Sequence, residues 1–279
     1  MHWLTHIVVV LNTGANALGW LLHPISWLPG WLSITVVSIV TGIVLLVIFK
    51  FTSNQNAIKR VRRSIRASRL AGRLFSDNMW VSIRAQGRVL LGALRLLVLA
   101  IVPMLVMLVP VVLLLGQLSL WYQTQPLRVG AETVITLKLN GSAESPMPAI
   151  ELEPKAAIED RSGPVRVVSQ REVCWSVVAR EKGYHRLRFR IGEQTYEKEL
   201  AVGNGFMRVS PLRPGWDWSD ALLNPLEKPF GRDSMVRSIE IEYPTRSSWV
   251  SGTDTWVIYW FVVSLVAGFM LRHRLGVNL

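Results

Sequence analysis

The stretch Lys50–Arg95, KFTSNQNAIKRVRRSIRASRLAGRLFSDNMWVSIRAQGRVLLGALR, is the most cationic part of the chain. It carries eleven lysines and arginines and a single acid, Asp77, which together account for about +10 of the formal net charge of +12. The flanking segments Trp31–Phe49 and Leu96–Leu115 contain no charged residue, and each is long enough to cross a bilayer as a helix. Because lysine and arginine resist translocation, we expect the basic stretch to lie in the cytoplasm between two transmembrane helices.

A third apolar run, residues 255–271, is followed by the basic tail Arg272-His273-Arg274. With the basic stretch inside, three spans place the N-terminus outside and the C-terminus in the cytoplasm. Residues 118–253 then lie outside, and their 18 lysines and arginines against 17 acids are typical of an exported region. We therefore expect an integral protein of a cell's inner or plasma membrane, with Trp121 and Tyr122 at headgroup level.

The predicted organisation is an α+β membrane protein with four segments. Residues 1–30 are predicted to form an outer interfacial helix, and residues 31–117 are predicted to form two spans joined by a basic cytoplasmic helical hairpin. Residues 118–253 are predicted to form an extracytoplasmic β-sandwich-like domain, and residues 254–279 the third span and a cytoplasmic tail. Residues 1–24 are apolar but interrupted by Asn12-Thr13-Gly14-Ala15-Asn16, which would be poorly satisfied in hydrocarbon. This interruption favours a helix lying on the outer leaflet, and a further span is the alternative.

The hairpin prediction rests on helical periodicity. Apolar residues such as Ile58, Val61 and Ile65 recur between cations over residues 52–74, Ser76-Asp77-Asn78 breaks the pattern, and a second helix starts near Met79. The cations of its first helix are candidates for contact with a ribosome or with anionic lipid: Lys59, Arg60, Arg62, Arg63, Arg66, Arg69 and Arg73. A solvated face that only sets the topology is the simpler alternative.

Short alternating runs in the outer region predict a small β-sandwich of immunoglobulin-like size, with Trp175 in its core. The predicted strands are Thr133–Leu139, Val165–Val168, Val173–Ala179, His185–Ile191, Tyr196–Val202 and Ser238–Tyr243. Residues 211–235, rich in proline and tryptophan, are predicted to be irregular. Gly203-Asn204-Gly205 is too short to predict a phosphate-binding loop.

Two rows of residues within the spans are candidate walls of a groove. Thr35, Ser38 and Thr41 share one face of the first span, where hydroxyls either pack against another helix or form a mildly polar wall. In the second span Met104 and Met107 lie between two prolines, and methionine provides an apolar surface that adapts to varied partners.

No arrangement of residues in the sequence predicts catalysis. There is no Ser/His/Asp set, no metal-ligand spacing and no phosphate-binding motif, and the single cysteine, Cys174, has no internal partner for a disulfide. We therefore expect a protein that is not an enzyme and that uses no cofactor or metal.

The order of spans and basic hairpin resembles the YidC/Oxa-type insertase superfamily, in particular its compact three-span members such as the insertase subunit of the endoplasmic reticulum membrane complex. The residues that carry the resemblance are Trp31–Lys50, Leu96–Gln117 and, in the hairpin, Gln55, Ile58, Lys59 and Leu74-Phe75. The first span has only hydroxyls where bacterial insertases carry an intramembrane arginine. A sandwich-sized domain also separates the second and third spans, which that family joins closely.

The resemblance implies an ATP-independent insertase or intramembrane chaperone that passes apolar segments of nascent membrane proteins along a groove between helices. The first two spans, with Ser264 and Gly268 of the third, would then frame the groove, and Lys50 and Arg95 would lie at its cytoplasmic mouth. The alternative is a membrane-anchored interaction or scaffold protein, in which the outer β-sandwich binds an unidentified protein partner and the spans only anchor it.

Overall fold

A computed structural model describes residues 2–19, 28–74, 79–142, 145–153, 156–246 and 255–277 of the chain. The predicted break at Ser76-Asp77-Asn78, and Phe75 before it, lie outside the described residues. The chain divides into two compact units, one of residues 1–34 with 112–258 and one of residues 35–111 with 259–279. The first unit contains the β-domain and the second contains most of the long helices.

The β-domain has two antiparallel sheets, with strand orders β3-β4-β1-β8-β7 and β2-β5-β6. The strands are β1 Glu132–Leu139, β2 Ile150–Leu152, β3 Ile158–Val167, β4 Glu172–Ala179, β5 Gly183–Ile191, β6 Gln194–Val202, β7 Leu212–Arg213 and β8 Val236–Ile241. The predicted sandwich-like arrangement of sheets is thus confirmed. The short β2 and β7 were not predicted, and β3 begins seven residues earlier than its predicted start.

Alternate side chains of each strand form the core of this domain. On β1, Ile135 and Leu137 are fully buried between partly exposed neighbours, as the period-two pattern requires. Trp175 of β4, in one sheet, packs against Phe189 of β5, in the other, with ring centroids 5.3 Å apart. The prediction of a core Trp175 is confirmed, and this ring pair joins the two sheets.

Residues 211–235 are more ordered than predicted, because they contain β7 and a short helix, α5 (Trp218–Leu223). The side chain of Asp217 caps α5 by accepting hydrogen bonds from the backbone N–H of Ser219 at 2.8 Å and of Asp220 at 3.4 Å. Such a cap satisfies donors that the first turn of a helix leaves unpaired. The prediction of an irregular segment is therefore wrong at these positions.

The N-terminal helix, α1 (His2–Gly19), continues through the polar residues 12–16. Asn12 Nδ2 donates to the carbonyl of Ala221 at 2.6 Å, and Asn16 Nδ2 donates to that of Pro225 at 2.6 Å. Both side-chain NH2 groups thus donate to carbonyls of the protein itself, so the helix need not break to hydrate them, while Asn12 Oδ1 is buried without a donor among the described residues.

The opposite face of α1 carries large apolar side chains. Trp3, Ile7 and Val10 are exposed, whereas Thr5 and Asn12 are buried. This distribution is the reverse of that of a helix on a water-soluble domain, whose apolar stripe faces the core. It is compatible with contact between the exposed face of α1 and lipid.

Four long helices follow the predicted hairpin plan: α2 Gly30–Thr52, α3 Gln55–Leu74, α4 Met79–Tyr122 and α6 Thr255–Leu271. Among the described residues, two helices are long and apolar enough to cross a membrane, α2 and the part of α4 from Ile83 to Tyr122. At 17 residues, α6 is equally apolar but shorter. Because α4 has 44 residues, it extends about 66 Å and continues through both Pro103 and Pro110.

Within the second unit, α3 packs against the first part of α4 at Gly92. A Cβ added at Gly92 would lie 2.5 Å from Cγ1 of Ile65 and 3.8 Å from Cγ1 of Val61. Glycine therefore allows α3 to approach α4 closely, and the helices predicted on either side of the break are confirmed.

A second close approach joins α2 to α6. A Cβ added at Gly42 would overlap the carbonyl oxygen of Ser264, and Gly268, one turn further along α6, faces the Gly42 carbonyl. Ser38 and Gly42 on α2, like Ser264 and Gly268 on α6, are small residues spaced four apart. This spacing is typical of membrane helices whose backbones touch.

Candidate functional site: an apolar cavity between three helices

An apolar cavity in the second unit has a volume of about 600 Å³ and lies between α2, α4 and α6. The α2–α6 contact forms one side of it, through Gly42, Ser264 and Gly268, and Leu46 and Phe49 extend the wall along α2. The volume lies within the range of ordinary ligand sites. The cavity therefore provides room for apolar groups in a region where helices otherwise pack closely.

One face of α4 forms the opposite side of this cavity. Ala100, Met104, Met107 and Val111 recur at helical spacing and all line it, whereas Leu105 and Val109 lie on other faces of the same turns. Met104 remains 66% exposed while lining the cavity. The cavity is consequently an open groove with a flexible methionine wall.

The polar groups of the groove are few. The Ser264 hydroxyl donates to the carbonyl of Phe261 at 2.9 Å, so it is already satisfied. Trp260 is 3% exposed, and its indole N–H is buried without an acceptor among the described residues. A ligand for this groove would be apolar, with at most a few hydrogen-bond acceptors.

The predicted hydroxyl row lies outside the groove lining. The Thr35 hydroxyl is 2.7 Å from that of Tyr259 on α6, the Thr41 hydroxyl donates to the Val37 carbonyl at 2.7 Å, and Ser38 is fully buried. Of the predicted groove residues, the structure thus brings Met104, Met107, Ser264 and Gly268 together. The three hydroxyl residues do not belong to the described lining of the groove.

The two cations predicted at the groove mouth, Lys50 and Arg95, are exposed and do not belong to the described lining. Arg95 instead lines a smaller apolar pocket of about 370 Å³ between α3 and α4, beside Val61 and Leu94. The sequence predicted a place for both cations at the mouth of the groove, but it did not predict the pocket that Arg95 lines.

The positive face of α3 has no acid on its own helix, since residues 55–74 contain none. Lys59, Arg60, Arg63, Arg66 and Arg69 are exposed and Arg62 is partly buried. Arg73 also lies on α3, but its side chain is outside the described part of the structure. Among the ion pairs of the described residues, none involves α3, so its charge remains available to a polyanionic surface.

Sequence reasoning predicted Gly268 in the groove wall but missed the groove residues Gly42 and Trp260. The small-residue spacing on α2 and α6 was a signal for their close contact, but it did not indicate where α4 would lie. Among the described residues, no cluster of three or more histidine, cysteine or acidic side chains could hold a metal ion.

Comparisons with protein-family models, with characterised proteins and with solved structures found no match for this chain. The resemblance to the YidC/Oxa superfamily therefore rests on architecture alone.

Proposed function

We propose that the protein is an ATP-independent membrane-protein insertase or intramembrane chaperone of YidC/Oxa type. The observation that carries the proposal is the open apolar groove between α2, α4 and α6. In this function the groove receives the side chains along one face of an apolar segment from a nascent membrane protein. The basic face of α3 recruits the ribosome or anionic lipid near the point of entry.

The wall of the groove is suited to binding apolar segments of different shapes. Met104 and Met107 have unbranched, polarisable side chains that can repack around different apolar shapes. The contact of α2 with α6 does not depend on the occupant, because it is made by backbone and small residues. A rigid pair facing a flexible wall is suited to transient, unspecific apolar contact.

The proposal includes an orientation. The N-terminus and β-domain lie outside, and α3 lies in the cytoplasm of a cell with its spans in the inner or plasma membrane. The third span is α6, whose 17 residues are at the lower end of the length that crosses a bilayer. We assign the outer sandwich to the immunoglobulin-like class by its size and its two antiparallel sheets.

Thiol labelling tests this orientation. In a Cys174→Ser background, we expect a cysteine at the exposed Ser64 of α3 to react with an impermeant reagent only from the cytoplasmic side. A cysteine at the exposed Ser142 should react only from outside. Labelling of both cysteines from the same side would refute the orientation.

Site-specific photo-crosslinking tests the function. With a photoreactive residue at Met104 or Met107, we expect crosslinks to a ribosome-bound nascent membrane protein at least fivefold above background, because these side chains line the groove. The crosslinked client is detected by its own radiolabel after immunoprecipitation.

The controls are Leu105 and Val109, neighbours on α4 that are 57% and 52% exposed; Met104 is similarly exposed, at 66%, whereas Met107 is partly buried. The controls do not belong to the described groove lining, so their crosslinks should go to lipid. Equal client crosslinking at all four positions would show that α4 merely touches passing proteins, and the insertase proposal would fail.

The scaffold alternative is favoured by one feature, the edge strand β3. Its ten residues are mostly exposed and pair only with β4 in the described sheet, so a partner chain could add to its free side. However, Pro164 and two register shifts interrupt the strand, as they do in edges protected against pairing. We therefore keep the insertase as the leading proposal.

A further inference from the structure

A second cavity, of about 610 Å³, lies in the first unit where the start of α2 meets loops of the β-domain. Its lining includes Gly30, the first residue of α2, the loop residues Asn204 and Gly205, and two arginines, Arg128 and Arg246. Unlike the groove, this cavity is bordered by cations. It is separate from the site of the proposed function.

Arg246 is held in place without a counter-charge among the described residues. Its Nε donates to the carbonyl of Thr124 at 3.0 Å, and its guanidinium carbon lies 4.4 Å from the ring centroid of Phe206. In the described part of the chain it forms no ion pair, and its Nη2 is buried without an acceptor. Burial also lowers the pKa of Arg246, which reflects the cost of holding this charge away from water.

Two further features add positive potential to the cavity. Arg128 is exposed and also forms no ion pair with a described residue. The N-terminus of α2, a helix of 23 residues, contributes the positive end of its dipole at Gly30. Backbone at Gly205 is open, since a Cβ there would meet nothing within 4 Å. An anion of the size of a phosphate therefore has both charge and space to bind.

The neighbouring aromatic residues indicate where such an anion would come from. Phe206 stacks on Trp121, with centroids 5.8 Å apart, and meets Tyr122 edge-on at 5.3 Å. Tryptophan and tyrosine at the ends of apolar helices concentrate at the headgroup level of a bilayer. The cavity thus adjoins both the start of one candidate span, α2, and the end of another, α4.

We propose that this cavity binds the phosphate of an anionic phospholipid headgroup, with Arg128 and Arg246 as its counter-ions. The inference requires that α2 crosses a membrane, but it does not depend on the insertase activity. A lipid held here would anchor the β-domain to the membrane surface.

The test uses the full-length protein in detergent, with the α3 residues Arg62, Arg63, Arg66 and Arg69 replaced by glutamine to remove lipid binding by that helix. Native mass spectrometry with short-chain phosphatidylglycerol and phosphatidylcholine should show one site that prefers the anionic lipid at least tenfold. Hydrogen exchange should show protection of residues 203–206 by phosphatidylglycerol.

Arg128→Gln and Arg246→Gln should each abolish the preference, and Arg246→Lys should retain part of it because the charge remains. The Arg128 side chain forms no hydrogen bond in the described contacts, so its variant is expected to fold normally. The matched control is Arg232→Gln, an exposed arginine outside the described lining, which should leave binding unchanged.

Equal binding of both lipids, or an unchanged preference in Arg128→Gln and Arg246→Gln, would overturn the proposal. So would equal protection of residues 203–206 by soluble glycerol phosphate, since that result would assign the cavity to a free phosphate and not to a lipid.

Discussion

Replacing Arg62, Arg63, Arg66 and Arg69 of α3 by glutamine is expected to weaken binding to ribosomes or anionic vesicles by roughly a thousandfold. Each cation close to an anionic surface contributes about 1 kcal/mol, so four contribute about 4 kcal/mol, and each 1.4 kcal/mol is a factor of ten. Three of the four are exposed, and none forms an ion pair in the described structure that could weaken the effect.

The measurement is cosedimentation with purified ribosomes and flotation with anionic vesicles, using protein in zwitterionic nanodiscs at several salt concentrations. If all four arginines contact phosphates, the slope of log affinity against log salt should fall by about three in magnitude. Glutamine is preferred to glutamate because the remaining cations still favour the proposed cytoplasmic orientation of the hairpin.

The matched control replaces the same four residues by lysine, which keeps the charge and should retain most of the binding. An unchanged affinity and salt slope in the glutamine variant would mean that the charges serve only as a topology signal.

Gly42→Leu is the second substitution with a large expected effect. Its side chain would occupy the position of the Ser264 carbonyl, so α2 and α6 could no longer meet and the groove would lose one side. Overpacking of this kind costs about 3 kcal/mol, which lowers the thermal midpoint by roughly 5–10 °C for a protein of this size. Thermal unfolding of the purified protein in detergent measures the shift.

Gly87→Leu is the control, because Gly87 also lies inside a helix but an added Cβ meets nothing within 4 Å. It should leave the midpoint unchanged or raise it slightly, since glycine weakens a helix interior by up to about 1 kcal/mol. Equal losses in both variants would show that the effect comes from leucine at a helical glycine and not from the contact with α6. Crosslinking at Met107 should fall with Gly42→Leu if the groove acts as proposed.

Much of the fold could be predicted because its signals are local. These signals are the uncharged runs, the block of cations and the alternation of apolar and polar residues over five to nine positions. Each depends only on neighbours along the chain, and together they predicted α2, α3, the start of α4 and most strands. The N-terminal cap of α5 was also a local signal, because Asp217 stands just before Ser219 and Asp220. The surrounding prolines and tryptophans nevertheless led to the prediction of an irregular segment. The continuity of α1 was not predictable in this way, because Asn12 and Asn16 find their acceptors 209 residues away.

The sequence by itself determined the apolar helices, the charged hairpin and the alternating strands, because hydrophobicity, charge and periodicity act over a few residues. Only the tertiary structure decided which helix faces meet. It placed Gly42 against Ser264, more than 200 residues along the chain, and so directed Met104 and Met107 toward a groove while the hydroxyl row packed elsewhere. It also brought Arg246 to a loop that looked too short to bind phosphate. Such pairings depend on the shape and space of whole surfaces, and periodicity along one helix specifies only that a face is apolar, not which partner covers it.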